Sequence, residues 1–165
     1  MTAESITIRR LKEAFGSHIR ETHAYRGDDT VVIDREALVN VATLLKQDAD
    51  LEYSFLIDIT AVDYLKTDKA PRFEVVYHFF SLPHKQRVRI KVPLAADDLE
   101  IDSLVPLWPG ANWYEREVYD MFGVRFRGHP NLKRILLYEE FEGHPLRKDY
   151  PYNKRQPIVK PGGNI

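Results

Sequence analysis

The stretch Asn112-Trp-Tyr-Glu-Arg-Glu-Val-Tyr-Asp-Met-Phe-Gly123 organises the chain. Asn112 is a good N-cap, because its side-chain oxygen can accept a hydrogen bond from a free backbone N–H of the first turn. Glu115 then stands at the third helical position, completing a capping box and facing the positive end of the helix. Tyr114, Val118, Met121 and Phe122 share one side. Arg116 and Asp120 are spaced to pair, and Gly123 offers the cheapest left-handed close. The prediction is a short helix with an aromatic-rich face beside acids and one arginine. Residues after Gly123 show no long apolar period, so the hydrophobic core is expected to come from what precedes it.

Glu115, Glu117 and Asp120 also admit a chemical reading. Such acids can form a general acid/base set or supply oxygen ligands to a hard cation. With His129 and His144 they would suit a metal-dependent hydrolase. No tight ligand spacing links the five residues, and capping with ion pairing accounts for the acids without a metal.

Outward from the helix, amphipathic periodicity predicts helices over residues 6–15 and 35–47. Ile8, Leu11 and Phe15 form the stripe of the first. Leu38, Val41, Leu44 and Leu45 form that of the second, with Asp34 as its cap. His18 and His23 fall in a polar surface stretch. Strands are predicted at 30–33, 53–60, 73–80 and 88–94. In the second of these Phe55, Ile57 and Ile59 point one way, and Asp58 is a polar intrusion. The last two, joined by a short turn, make an antiparallel hairpin. His78 lacks a partner histidine at ligand spacing. Arg89 and Lys91 give the final strand a basic face, suited to phosphate contact or simply to water. Residues 95–102 read as an acidic loop and Ser103–Leu107 as one helical turn. The fold class is α+β, with a mixed or mainly antiparallel sheet and amphipathic helices, followed by an extended C-terminal arm.

Composition narrows the function. The 165 residues are 44% hydrophobic and 30% charged, enough for one packed domain with an extension. There is no cysteine, so the chain supplies no thiolate to an iron–sulfur cluster and no disulfide. A net charge of -1 gives no reason to expect nucleic acid. No membrane-length apolar run and no signal-peptide core are present, and a cytoplasmic location is expected. Residues 1–123 carry 15 Lys and Arg against 21 Asp and Glu, whereas residues 124–165 carry 9 against 4. The second part is also rich in glycine and proline, with a Gly-His-Pro triplet at 128–130 and again at 143–145. We therefore divide the chain into an α+β domain, 1–123, and a basic arm, 124–165, that lies on an acidic partner surface.

Glu115-Arg-Glu-Val-Tyr-Asp-Met-Phe122 followed by His129 resembles the signature of the 30 kDa subunit family of respiratory complex I. The likeness continues through Gly128-His-Pro-Asn-Leu-Lys-Arg-Ile-Leu136 and Phe141-Glu-Gly-His-Pro-Leu-Arg-Lys-Asp-Tyr-Pro151. It implies a non-catalytic subunit of a hydrophilic arm on the cytoplasmic side of a bacterial membrane. That arm carries electrons from NADH through FMN and iron–sulfur clusters in other subunits to quinone. The implied neighbour is the large 49 kDa-like subunit, beside other members of the arm. The implied interface is Glu115, Arg116, Glu117, Asp120, Arg125, Arg127, His129, Arg134, His144, Arg147 and Lys148, and the isolated chain is expected to be inactive. The alternative assembly is a membrane-bound nickel–iron hydrogenase or related complex, in which the resemblance implies an equivalent scaffold. No Gly-x-Gly-x-x-Gly nucleotide loop is present, as befits a subunit that holds no cofactor.

Overall fold

A computed structural model of the chain describes residues 4–158. It opens with helix α1, Ile6–Phe15, which Ser5 caps by accepting from the Ile8 N–H at 3.1 Å. Strands β1, Ile19–Tyr25, and β2, Asp28–Ile33, then form a hairpin. Its two-residue turn, Arg26 and Gly27, has φ of 53° and 89°, the paired positive values that match strand twist. Sequence pattern predicts only the second strand. β1 is a polar edge strand with no buried residue, so it has no alternation to betray it.

A short 3-10 turn, Arg35–Ala37, leads into α2, Leu38–Gln47. Asp34 does not cap that helix. Its carboxylate accepts instead from Arg20 of β1 at 2.6 Å, an opportunity that exists only once the hairpin is formed. Strands β3, Phe55–Asp63, β4, Phe73–Ser81, and β5, Gln86–Leu94, follow. The short β6, Glu100–Asp102, occupies the end of the predicted acidic loop. Helix α3, Ala111–Phe122, and the short β7, Arg125–Arg127, complete the elements. The residues of the predicted turn at 103–107 bend so that the N–H groups of Leu107 and Trp108 both reach the Leu104 carbonyl.

The main sheet has the order β1-β2-β5-β4-β3. Neighbours are antiparallel except β2 and β5, which run parallel, so the mixed, mainly antiparallel α+β fold holds. The predicted β4–β5 hairpin is present over its whole length. The phase of β3 differs from prediction. Its register shifts between Leu56 and Asp58, so Leu56, Ile59 and Ala61 face the core while Phe55 is exposed. One extra residue in a strand reverses the alternation beyond it, which a simple every-other-residue count does not anticipate.

The buried residues of α1, α2 and α3 form one core with one face of this sheet. Tyr53, Phe73, Tyr77 and Phe79 are its largest fully buried members. Of the predicted stripes, Phe15 and Leu44 are only partly buried, and Ala42 joins the second. The chain beyond Gly123 also enters this core, through Val124 and Phe126, because β7 pairs in parallel with β6. Residues 159–165, the end of the predicted arm, lie outside the described residues.

Candidate subunit interface

Helix α3 begins one residue before the predicted cap. Gly110 occupies the cap position, no side chain caps the first turn, and Asn112 lies inside the helix. The capping box is therefore absent. Glu115 is fully buried and points at the preceding chain, accepting from Ser103 Oγ at 2.6 Å and from the Leu104 N–H at 2.7 Å. Burial pushes its carboxyl up to about 7, because these two hydrogen bonds only partly offset the cost of holding a charge away from water.

Asp120 is also fully buried, and it does not pair with Arg116. Its Oδ1 accepts from Arg134 Nη1 at 2.6 Å, and its Oδ2 accepts from the backbone N–H groups of Ile135, Leu136 and Leu137 at 2.9–3.1 Å. Three successive N–H groups closing on one oxygen make an anion cradle, here filled by the chain's own carboxylate. The donors hold Asp120 below the usual carboxylate range, although burial alone acts in the opposite direction. Arg116 reaches over the same segment, donating to the Lys133 and Arg134 carbonyls at 3.0 and 2.9 Å.

The C-terminal end of α3 is closed by residues remote in sequence. A helix leaves its last four carbonyls without intrahelical donors. Here the Gly123 N–H takes the Tyr119 carbonyl, and His144 Nδ1 takes that of Asp120. The Leu146 N–H takes that of Met121, and Arg147 Nε that of Phe122. Gly123 closes the helix in the predicted left-handed conformation, φ 79°. A Cβ there would lie 2.5 Å from Arg147 Nη2 and 2.7 Å from the His144 ring, so glycine is required by space as well as by φ. Arg134 and Arg147 also place positive charge at the negative end of the helix dipole.

A second tie joins the segment to the sheet. Asp63, buried at the end of β3, accepts two bonds from Arg72 at 2.9 and 2.7 Å and one from the Lys148 N–H at 2.8 Å. Arg72 also grips Asp149 at 2.9 Å. The Arg72 guanidinium holds Asp63 well below the usual carboxylate range. In the sequence Asp63 and Arg72 belong to an unremarked polar connection, because Lys148, which ties them to the arm, stands 85 residues beyond Asp63.

The predicted interface residues therefore divide. Glu115 and Asp120 are internal. Arg116, His129, Arg134, His144 and Arg147 are half-buried and engaged with backbone. Glu117, Arg125, Arg127 and Lys148 are exposed, Arg127 with Asp102 at 3.0 Å. His129 Nδ1 accepts from the Asn131 N–H, which leaves Nε2 to donate to the Asn112 carbonyl. The two histidines thus close turns, and no group of three metal-ligating side chains occurs among the described residues. The hydrolase reading has no assembled site. Leu136, one of the short apolar anchors that the sequence shows after Gly123, is exposed, and so are Trp113, Leu146 and Tyr152, which the sequence does not mark out.

Residues 31–156 match the family model described as respiratory-chain NADH dehydrogenase, 30 Kd subunit. The chain is 49% identical to a subunit of the NADH-quinone oxidoreductase of Citrifermentans bemidjiense, over 92% of this chain and 91% of that protein. It is 45% identical to the equivalent NADH-quinone oxidoreductase subunit of Roseiflexus sp., over 92% and 86%. Among solved structures, the trypsin-resistant fragment (1-134) of Nqo5 is 34% identical, with a TM-score of 0.67 over 77% of this chain and all of that one. A chain of the membrane-bound sulfane sulfur reductase, an archaeal respiratory membrane complex, has a TM-score of 0.73 at 20% identity, covering 96% of each, and shows the shared fold.

Proposed function

The chain belongs to the 30 kDa subunit family of respiratory-chain NADH dehydrogenase, and from this premise we propose that it is a structural subunit of the peripheral arm of an NADH-quinone oxidoreductase. Electrons pass from NADH through FMN and iron–sulfur clusters in neighbouring subunits to quinone. This chain positions those neighbours, the 49 kDa-like subunit first among them, and holds none of the carriers itself. Its lack of cysteine and the engagement of His129 and His144 in turns do not fit ligation of a cluster. No helix among the described residues is long and apolar enough to cross a membrane, in keeping with a peripheral place in a membrane complex.

The observation that carries this reading is that Leu136, Leu146 and Tyr152 are exposed on a segment otherwise tied down, with Trp113 exposed on the α3 helix that holds it. Apolar anchors on an ordered frame, in a stretch that also exposes Arg125, Arg127 and Lys148, are what a protein partner with an acidic rim would bury. The relatives from Citrifermentans bemidjiense and Roseiflexus sp. are subunits of NADH-quinone oxidoreductases, which favours this assembly over the hydrogenase alternative. Leu136→Asp and Leu146→Asp variants, co-expressed with the other arm subunits and recovered by affinity, are expected to fold but to be excluded from the complex. Wild-type yields of assembled complex from both variants would refute the interface. NADH-dependent quinone reduction by the purified chain, supplied with flavin, would refute the structural role.

A further inference from the structure

The face of the sheet turned away from the three helices carries a row of polar side chains that the assembly role leaves unused. Pairing places Asp58, His78, Arg89 and Thr30 side by side across β3, β4, β5 and β2. They are wired together. Asp58 Oδ2 lies 4.0 Å from His78 Nδ1, Arg89 Nε donates to His78 Nε2 at 2.9 Å, and Arg89 Nη1 donates to Thr30 Oγ1 at 3.2 Å. To accept from Arg89, His78 must be neutral with its proton on Nδ1, toward Asp58. Burial and the nearby Arg89 charge depress its protonation, in agreement.

This wiring fixes one side of the Arg89 guanidinium and leaves Nη2, with the second N–H of Nη1, free of partners among the described residues. That end is the edge with which arginine grips two oxygens at once. Arg87 stands two residues away along the same strand, its guanidinium over the Phe80 ring at 5.9 Å. Neither arginine has a carboxylate within ion-pair distance among the described residues. Lys91, next in the same alternation, has one: Glu74 at 2.9 Å. Two uncompensated arginines thus adjoin a recess of about 290 Å³ lined by Asp28, Ile57, His78, Arg87, Val88 and Arg89. Ile57 is the extra residue of the β3 bulge, a device that recurs where a strand is bent to shape a site.

We propose that this recess is an oxyanion-binding site, in which Arg89, oriented by His78 and Thr30, and Arg87 hold a phosphate or carboxylate group. Asp28 in the lining, with Asp58 behind His78, disfavours a bare polyanion and favours a group with one compact charged end. The chemistry is common to a small free anion and to an acidic side chain of a neighbouring subunit, and the test separates them. Inorganic phosphate and succinate are titrated into the full-length chain at constant ionic strength, followed by backbone amide NMR shifts. Saturable shifts confined to residues around 28–30, 57, 78 and 87–89 are expected, weakened at least tenfold in Arg87→Gln and Arg89→Gln. Arg87 is exposed, so that variant tests the site without risk to the fold. Binding that persists in the assembled complex identifies a free anion as the ligand. Binding blocked by assembly, with weaker incorporation of both variants, identifies a partner carboxylate. Absence of saturable binding, or binding unchanged in both variants, overturns the proposal.

Discussion

Replacing Glu115 by Gln should stabilise the chain at alkaline pH and leave it nearly unchanged in mild acid. The carboxyl is completely buried and titrates near 7 in the folded chain, against an ordinary value of 4.5. Between those values the folded state binds more protons than the unfolded state, so stability falls as pH rises. The folded form is favoured most below the unfolded value, and the loss is complete above about pH 7. At about 1.4 kcal/mol per pKa unit, the fall between pH 5 and pH 8 amounts to about 2 to 3 kcal/mol. Glutamine preserves the acceptor for the Leu104 N–H, and its amide can donate to Ser103 Oγ, whose hydroxyl turns to suit. Urea denaturation of both proteins at pH 5, 6, 7 and 8 measures the effect. The difference between variant and wild type should grow by about 2 to 3 kcal/mol across the series, with unchanged m-values. A constant difference, within about 0.5 kcal/mol, would show that Glu115 stays ionised and that the Ser103 and Leu104 bonds outweigh its burial.

Gly123→Ala should cost about 1–2 kcal/mol from the left-handed backbone alone, and it should release His144 and Arg147 from the helix end, read as earlier tryptic cleavage after Arg147. Cleavage no faster than wild type would show that the clash is absorbed elsewhere. Arg116→Ala should lower the recovery of assembled complex more than it lowers the stability of residues 1–110, and unchanged recovery by pull-down would argue against this position. Asp63 contributes stability above its unfolded value that disappears as pH falls through its depressed folded value, so acid unfolding should begin below about pH 4. Asp63→Asn should remove that acid-dependent part and cost about 1–3 kcal/mol at pH 7, since Arg72 loses one charged acceptor and keeps Asp149; an unaltered acid limb in a fluorescence pH titration would count against the linkage.

How much of the fold and of the interface is legible in the sequence depends on the distance over which each signal acts. Strands β4 and β5 and helices α1 and α2 announce themselves by periodicity, since burial of one face writes a local repeat. β1 is invisible because an edge strand needs only backbone partners. β6 and β7 are three residues each and acquire their form from one another. The acids of α3 mislead most. Their number suggests a cap, an ion pair or a ligand set, all of them local devices. Glu115 and Asp120 instead serve chain 11 to 17 residues away, and no spacing rule reaches that far. Composition marks out the arm, but its internal half is set by tertiary geometry: His144, Leu146 and Arg147 find carbonyls 24 or 25 residues upstream.

The way α3 ends has a consequence for the order of events in the cell. Ribosomes deliver residues 111–122 well before 133–149, so for an interval the helix exists without its closing donors. During that time three carbonyls and the Asp120 carboxylate have only water, and the helix terminus is free to fray. Arrival of Arg134, the 135–137 backbone, His144 and Arg147 finishes the terminus and, in the same act, draws Leu136 and Leu146 into register on the outside. A chain cut short before Arg147 would keep the Asp120 cradle but leave the Phe122 carbonyl without its donor.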